Sequence, residues 1–309
     1  MSDQPRIVAV LNPSSGHGEG RRLLPRIQAS FAQRFGNRAR VVVTTSAQHV
    51  RELARAAAQQ GAEIFAVCGG DGTVHYAIQE LVHTSTALGL VPIGNGNDLA
   101  VNLAIPPEPE DSIKVLSNGI IRCIDVGQAQ TAFYSCIAGV GLDSEVNRRA
   151  NDPKWWIRGR ARYPLAILQT LISFRPRTVR IRCDQQTFEG PIMFAVVANA
   201  SSYGRGIRIA PMAALDDGML DVCIVKAMSK LELLRVYPQT YKGTHVDHPA
   251  LVKLRGREIE IESDHRLELF GDGEYLEPTP TRIQLIPRSL RVVAPCQGDV
   301  RGQRPGTLE

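Results

Sequence analysis

The sequence of 309 residues has no long hydrophobic run, no low-complexity segment and no leader in which charged, apolar and small residues follow one another. Its longest apolar helix candidate, residues 164–174, is much shorter than the roughly 20 residues that cross a bilayer. We therefore expect no membrane-spanning helix. The missing secretory pattern predicts a protein that stays in the cytoplasm.

Cysteines are few, and no two of them form a C-x-x-C pair. A chain of this length buries a sizeable core without help from disulfides or metals. Most of the cysteines lie in apolar runs, so we expect buried free thiols. The positions are Cys68, Cys123, Cys136, Cys183, Cys223 and Cys296.

The net charge of +5 suggests an anionic partner. Nucleotide phosphates, a nucleic acid and an anionic membrane surface all fit, and charge alone does not separate them. The sequence has no zinc-ligand spacing, no basic recognition helix and no aromatic RNA-binding block. We therefore expect no nucleic-acid partner.

The first third of the chain alternates short apolar runs with helix-like segments, which is typical of a parallel sheet covered by helices. Nucleotides bind such sheets at the carboxyl ends of the strands. The predicted strands are Ile7–Leu11, Ala39–Val43, Ile64–Cys68 and Leu88–Ile93, and the predicted helices are Gly20–Phe35, His49–Gln60 and Val74–Val82.

From about Ile120 the apolar residues recur with a period of two, which indicates antiparallel sheet with one buried face. Helix-like segments interrupt this pattern at Tyr163–Phe174 and Lys230–Tyr241, the second with Ser229 as its N-cap. The predicted fold class is α/β plus all-β.

The change of pattern predicts two domains with the active site in the cleft between them. The first is an α/β nucleotide-binding domain at 1–125. As an alternative, residues 288–296 return to this domain and complete it. The second, at 126–287, is antiparallel and β-sandwich-like. We expect disorder in the polar tail, 297–309.

The segment Gly69-Gly70-Asp71-Gly72-Thr73 follows a predicted strand and opens the next helix. Its glycines let backbone N–H groups approach an anion at the helix N-terminus, and phosphate suits such a site. Asp71 would repel a bare phosphate, so it acts through Mg²⁺, holds a sugar hydroxyl or fixes the loop. The alternative without a ligand is a tight turn capped by Thr73.

Five blocks in order resemble a known family. Segment 69–73 resembles the Gly-Gly-Asp-Gly-Thr signature of diacylglycerol, sphingosine and NAD kinases and of phosphofructokinases, and 90–100 resembles the lipid-kinase pattern P-x-G-T-x-N-D-x-A. The other blocks are Asn12-Pro13 with Gly16 and Gly18, then 209–221, then Gly271-Asp272-Gly273-Glu274. The chain is identified by them as a member of the bacterial diacylglycerol-kinase-like lipid kinases.

The resemblance implies a kinase that uses ATP and Mg²⁺ to phosphorylate a lipid hydroxyl bound by 126–287. Diacylglycerol, giving phosphatidic acid for phospholipid biosynthesis, is the first expectation, and sphingoid bases, ceramide and phosphatidylglycerol stay open. The resemblance places these residues on the nucleotide side: Asn12, Thr44, Gly69, Gly70, Asp71, Gly72, Thr73, Val74, His75 and Asn95.

At two of these positions the match to the family pattern is imperfect. Thr44 fits the family spacing slightly better than Thr45. Asn95 stands where the family usually has threonine. Its amide can still donate a hydrogen bond to phosphate, but with a different reach and a planar geometry.

Catalysis is expected from Glu274 and Asp71. The resemblance makes Glu274 the general base, projecting from a flexible Gly-Asp-Gly corner. The alternative is a hairpin glutamate in solvent. Asp217 resembles the family's structural Mg²⁺ position, with the backbone carbonyls of Ala214 and Met219 as further ligands, and the alternative there is a turn aspartate.

A dense run of basic residues between Arg148 and Arg182 includes both tryptophans, Trp155 and Trp156. This composition favours contact with an anionic membrane surface, so we expect a peripherally membrane-associated protein. The alternative is a solvated basic helix whose tryptophans are part of the core.

Two rival functions remain. NAD kinase shares the glycine-rich signature, although the Asn97-Asp98 block and the Asp-Gly-Glu block argue against it. A catalytically silent lipid- or nucleotide-binding regulator is favoured by Asn95 alone. The oligomeric state stays open, with a homodimer as one alternative.

Overall fold

The computed structural model describes residues 6–152 and 162–296. The chain divides into two compact units, one formed by Met1–Ile124 with Ser289–Glu309 and the other by Asp125–Arg288. The expected membrane contact through Trp155 and Trp156 and the expected disorder of 297–309 lie outside the described residues.

The first unit is built on a parallel sheet. Its strands are β1 (Ile7–Leu11), β2 (Ala39–Val43), β3 (Ile64–Gly69) and β4 (Ala87–Pro92), in the order β2-β1-β3-β4. The last strand among the described residues joins the edge of β4, where Val292 pairs with Leu88 in parallel. The helices are α1 (Ser15–Phe35), α2 (Ala47–Gln59), α3 (Asp71–Leu81), α4 (Asp98–Asn102) and α5 (Pro109–Asn118), with a 3₁₀ turn at Gly36–Arg38.

The central strands of this sheet are apolar on both faces because helices cover both. All six residues of β4 are buried. Ile27 and Phe31 of α1, and Ile113 and Leu116 of α5, are buried in the same hydrophobic cluster as the strand side chains. Each such side chain contributes about 1.5–3 kcal/mol when it leaves water.

The described part of the second unit is built from antiparallel strands and three helices. The strands are β5 (Ile120–Ala129, which begins in the first unit), β6 (Ala132–Tyr134), β7 (Ile137–Gly141), β8 (Arg177–Cys183), β9 (Gln186–Ala198), β10 (Leu220–Lys226), β11 (Leu251–Gly256), β12 (Glu258–Ser263), β13 (Glu268–Gly271), β14 (Glu274–Pro278) and β15 (Thr281–Ala294). They run in the order β14-β13-β7-β9-β8-β12-β15, while β10 joins β9, β11 joins β10, and β5 pairs with β6. The helices are α6 (Leu142–Asn151), α7 (Arg162–Ser173) and α8 (Lys230–Lys242), and a 3₁₀ turn spans Thr244–Asp247.

The period of two appears directly in these strands. In β8, Val179 and Ile181 are buried while the arginines between and beside them are exposed. On the exposed face Arg180 forms an ion pair with Glu189. The prediction of a parallel α/β part and an antiparallel β-rich part is confirmed.

Helices cover part of the second unit. Leu142 and Val146 of α6 and Leu171 of α7 form a buried cluster, against which Leu233 of α8 packs. Ser229 caps α8 as predicted, since its side chain accepts a hydrogen bond from the N–H of Glu232. Among the described residues, no helix combines the length and apolar character that a bilayer crossing requires.

The expectation of buried free thiols is confirmed for Cys68, Cys136, Cys183 and Cys223. It is wrong for Cys123 and Cys296, which are free but only half-buried. Burial raises the pKa of Cys183 to about 11 and that of Cys223 to about 12. These thiols therefore stay protonated and unreactive at neutral pH.

Candidate functional site

Three loops meet at the carboxyl ends of β1, β3 and β4 in the first unit. We call them the first loop (12–18, which includes the non-helical residues 16–18 at the start of α1), the phosphate loop (69–73) and the asparagine loop (94–98). The last two touch through glycine backbone: a Cβ on Gly70 would lie 2.9 Å from the Cα of Gly94, and a Cβ on Gly94 would lie 2.5 Å from the Cα of Gly70. Neither position has room for a side chain, which explains why both are glycine.

The phosphate loop joins β3 directly to a helix. Gly70 is extended, with φ −107° and ψ −173°, and α3 begins at Asp71. Because the first N–H groups of a helix have no partner inside it and the helix dipole is positive there, this junction suits an anion. At the end of β3, burial raises the pKa of Cys68, so its thiol is not a nucleophile.

Asn12 connects the first loop to the phosphate loop. Its side-chain Nδ2 donates to the hydroxyl oxygen of buried Thr73 at 3.0 Å, and its Oδ1 accepts from the N–H of Ser14 at 3.0 Å. Asn12 therefore fixes the separation of two of the three loops. Thr73 is therefore held both by this hydrogen bond to its hydroxyl and by its place in the first turn of α3.

Asp71 connects the phosphate loop to the asparagine loop. Its two carboxylate oxygens accept the backbone N–H groups of Asn97 at 2.8 Å and Asp98 at 2.6 Å. Asn97 closes the asparagine loop on itself through two hydrogen bonds with Gly94, at 2.9 and 2.8 Å. Asp71 could act through Mg²⁺, hold a sugar hydroxyl or fix the loop. These hydrogen bonds show that it fixes the loop.

The predicted nucleotide residues differ in what they expose. The Thr44 hydroxyl is buried and donates to the carbonyl of Leu11 at 3.3 Å, whereas Thr45 is exposed beside His49. Val74 and His75 have buried side chains, so they could serve a nucleotide only through their backbone. Their nucleotide contacts, and that of Thr44, stay predictions.

Asn95 lies exposed at the tip of the asparagine loop. Its Nδ2 is 3.1 Å from the Nδ1 of His17, an exposed residue of the first loop with a left-handed φ of 60°. The residue that replaces the family's usual threonine thus connects the first and asparagine loops across the site.

In the second unit, Glu274 begins β14 after the tight turn Asp272-Gly273, whose φ angles are 51° and 85°. Left-handed values at both central residues are typical of a two-residue hairpin. Glu274 is partly buried and pairs with Gly271 across the hairpin. Glu274 therefore lies directly after a turn between two strands, as predicted.

The corner before Glu274 is anchored, so its predicted flexibility is wrong. Asp272 accepts four hydrogen bonds: from the N–H and hydroxyl of Ser135 at 2.6 and 2.8 Å, and from the N–H groups of Cys136 and Ile137 at 2.9 and 3.2 Å. Burial, and then the charge of Asp272, raise the pKa of neighbouring Tyr134. Four donors on one carboxylate hold the turn that presents Glu274.

The expected magnesium position has a competing cation. Asp217 is exposed, its Oδ1 accepts from the N–H of Met219 at 3.1 Å, and its Oδ2 forms an ion pair with Arg255. No three His, Cys, Asp or Glu side chains in the described parts of the chain come together as a metal cluster. A guanidinium on the carboxylate repels Mg²⁺, so the site does not fit the ion as it stands. A metal bound by Ala214, Asp217 and Met219 stays a prediction.

Asp125 was not anticipated from the sequence. It is fully buried, and its carboxylate accepts the N–H groups of Gly218 at 2.7 Å and Arg288 at 2.6 Å. Its carbonyl accepts from the side chain of Asn199 at 2.8 Å. Asp125 thereby fixes the loop that contains Asp217. A charged residue within a buried strand was the sequence signal that could have identified it.

Two family models match the chain. Residues 6–129 match the diacylglycerol kinase catalytic domain. Residues 136–294 match the YegS C-terminal NAD kinase beta sandwich-like domain.

Relatives of known name are similar along almost the whole chain. A diacylglycerol kinase of Mycobacterium tuberculosis is 32% identical over 300 residues, 95% of this chain and 96% of the relative. A diacylglycerol kinase of Bacillus subtilis is 30% identical over 291 residues, 93% of this chain and 95% of the relative. A protein of Chromohalobacter salexigens named "Probable lipid kinase YegS-like" is 28% identical over 278 residues, 88% of this chain and 89% of the relative.

A solved structure shares the fold. The crystal structure of a diacylglycerol kinase from Bacillus anthracis has a TM-score of 0.76 and 22% identity, and it covers 93% of this chain and 96% of its own. At this identity the likeness concerns architecture alone.

Proposed function

The chain belongs to the diacylglycerol kinase catalytic-domain family of lipid kinases, and on this premise we propose that it transfers the γ-phosphoryl group of ATP to the hydroxyl of diacylglycerol, giving phosphatidic acid. The observation that carries the proposal is the meeting of three loops at the carboxyl ends of parallel strands, with a glycine loop at a helix N-terminus. The names of the Mycobacterium tuberculosis and Bacillus subtilis relatives support this acceptor.

The proposed phosphate site is the start of α3. Backbone N–H groups of Gly70 and Gly72 would donate to phosphate oxygens, and the side-chain amides of Asn12 and Asn95 lie on the neighbouring loops. ATP enters such reactions as its magnesium complex, in which Mg²⁺ neutralises part of the triphosphate charge. The asparagine loop keeps its place because Asp71 holds it.

Glu274 is the proposed general base. The acceptor oxygen forms a bond to the γ-phosphorus, the bond from that phosphorus to the bridging oxygen of ADP breaks, and the hydroxyl proton passes to the Glu274 carboxylate. The anchored turn supports this role because it limits the positions that the carboxylate can adopt.

The acceptor is tested by following labelled phosphate from γ-labelled ATP. The full chain is incubated with γ-labelled ATP, Mg²⁺ and one lipid at a time in mixed micelles. The lipids are diacylglycerol, a sphingoid base, ceramide and phosphatidylglycerol. We expect label in phosphatidic acid. Label in another lipid would overturn the proposed acceptor but not the lipid kinase, and no lipid label at all would overturn the proposed activity.

NAD is the second acceptor to include in the same assay. The reason is specific: residues 136–294 match a domain described as NAD kinase beta sandwich-like. We expect no label in NADP, since the relatives that cover nearly the whole chain are named lipid kinases. Transfer to NAD in preference to diacylglycerol would replace the proposal with the NAD kinase alternative.

A further inference from the structure

Helix α8 of the second unit exposes large apolar side chains. Leu231 is 69% exposed, Leu234 44% and Tyr241 44%, although Leu233 of the same helix packs on the buried cluster of α6 and α7. Scattered apolar residues on a surface are ordinary, but three on one short helix form a patch that requires an explanation.

These side chains lie on one face. A helix turns 100° per residue, so the spacing of 231, 234, 238 and 241 keeps Leu231, Leu234, Pro238 and Tyr241 on a single stripe. Leu233 and the buried Thr240 lie on the other side, toward the protein. The helix is therefore apolar both toward the core and away from it.

Cationic residues border the exposed stripe. Lys230, Arg235 and Lys242 are all exposed, and at 100° per residue they flank Leu231 and Leu234.

Glu232 is the sole acidic residue of α8. It lies away from the stripe, with its carboxylate 3.6 Å from the Nε2 of His248. We call Lys230, Leu231, Leu234, Arg235, Tyr241 and Lys242 the α8 face.

The end of α7 extends the same surface. The Nζ of Lys230 donates to the carbonyl of Ile172 at 2.6 Å, which brings the last turn of α7 beside the first turn of α8. Ile172 is 68% exposed, and Leu168, one turn earlier on the same side of α7, is 48% exposed. Two neighbouring helices thus present apolar side chains to solvent.

We propose that the α8 face docks on an anionic lipid surface. Apolar side chains beside lysine and arginine are typical of a helix that lies in the membrane interface, where the apolar groups enter the acyl boundary and the cations meet lipid phosphates. A second copy of the chain fits less well, because a symmetric contact would bring the same cations of both copies together. The proposal rests on the proposed function, since a kinase for diacylglycerol must work at a membrane.

Vesicle co-sedimentation of the full chain tests the docking. The variants are Leu231→Ser with Leu234→Ser, Arg235→Gln with Lys242→Gln, and the control Ile121→Ser, which removes a side chain that is 49% exposed on β5. Vesicles are phosphatidylcholine with or without phosphatidylserine. Circular dichroism and Tm establish that each variant is folded.

We expect the wild type and Ile121→Ser to bind phosphatidylserine vesicles equally. The leucine variant should bind about tenfold more weakly, because it lacks the two leucine side chains that would enter the lipid interface. The arginine–lysine variant should lose the preference for phosphatidylserine. Equal binding by the folded leucine variant and the wild type would overturn the proposal. So would a wild-type dimer that the leucine variant abolishes while vesicle binding is unchanged.

Activity on a short-chain, monomeric diacylglycerol separates this proposal from the proposed function. We expect the leucine variant to phosphorylate it at the wild-type rate. If the wild type phosphorylates it but binds no vesicles, docking fails and the kinase function stands. If no lipid is phosphorylated while vesicle binding still depends on Leu231 and Leu234, the kinase function fails and docking stands.

Discussion

Two aspartates hold the backbone of the candidate site. Asp71 accepts two N–H groups of the asparagine loop, and Asp272 accepts four donors at the turn before Glu274. Hydrogen bonds to an ionised carboxylate are shorter and stronger than those between neutral groups. At the residue scale, these side chains position others that would meet the substrates.

Replacing Asp71 by asparagine should weaken ATP binding. The amide retains one acceptor oxygen, but its NH₂ group faces an N–H donor, so one of the bonds from Asn97 and Asp98 is lost. We expect the KM for ATP to rise about tenfold and the free energy of unfolding to fall by about 1–2 kcal/mol. Steady-state kinetics and urea unfolding measure both. A wild-type KM in the folded variant would exclude the positioning role.

Replacing Asp272 by asparagine should lower kcat and leave the KM for ATP unchanged, because only the turn before Glu274 loosens. The free energy of unfolding should fall by about 2–3 kcal/mol as charge-assisted bonds are lost. Asp264→Asn is the matched control: its side chain is 49% exposed, so its effect on the free energy of unfolding should be much smaller than that of Asp272→Asn. Equal effects of the two substitutions would contradict the anchoring.

At the scale of elements, α2 and α3 are joined by an ion-pair cluster in which two partly exposed arginines of α2 meet one half-buried glutamate of α3. Glu80 of α3 has a side chain that is 10% exposed, and it accepts from Arg51 at 2.8 Å and from Arg55 at 2.9 and 3.1 Å. Burial raises the pKa of Glu80, but the hydrogen bonds and charges of Arg55 and Arg51 outweigh it and leave the pKa below the ordinary 4.5. The ionised form is thus favoured by folding.

The stability from Glu80 should depend on pH. A lowered pKa in the folded state gives stability that is present above the ordinary value of 4.5 and disappears as the pH falls through the lowered value. Because solvent around the partly exposed arginines screens the pairs, we expect Glu80→Gln to cost about 1 kcal/mol at neutral pH and almost nothing in acid below the lowered pKa. Denaturant unfolding at both pH values measures this. A cost that does not vary with pH would rule out the ionic contribution.

Element type was predictable where one pattern acts locally. The apolar runs of β1 to β4 and the alternation in β8 and β12 follow from which faces are buried, and Ser229 marks the start of α8 by its own hydrogen bond. The glycine loops were predictable because close backbone contact excludes side chains.

Contacts distant in sequence were not predictable. The donors to Asp272 begin at Ser135, 137 positions away, so the turn looked flexible from its glycines alone. The burial of Thr44 and the exposure of Thr45 could not be read from the sequence, because both follow the same strand and only the packed sheet shows which hydroxyl is inside. Arg255 beside Asp217 was invisible for the same reason.

At the scale of the whole molecule, each unit has its own core and its own part of the proposed chemistry. The buried cluster around Phe31 and Ile113 supports the first, phosphate and asparagine loops, and a separate cluster around Val179 and Ile261 supports the antiparallel strands of the second unit. Asp125 and Arg288, the first and last residues of the second unit, are hydrogen-bonded to each other. The proposed activity assigns phosphate binding to residues of the first unit and proton transfer to Glu274 of the second.

The most direct measurement is the rate of phosphatidic acid formation by the wild type and by Glu274→Gln, at saturating γ-labelled ATP and diacylglycerol. Glutamine has the size of glutamate but cannot take the proton, so the proposed mechanism predicts at least about 100-fold slower turnover with the KM for ATP nearly unchanged. Labelled phosphatidic acid formed at the wild-type rate by Glu274→Gln would contradict the mechanism.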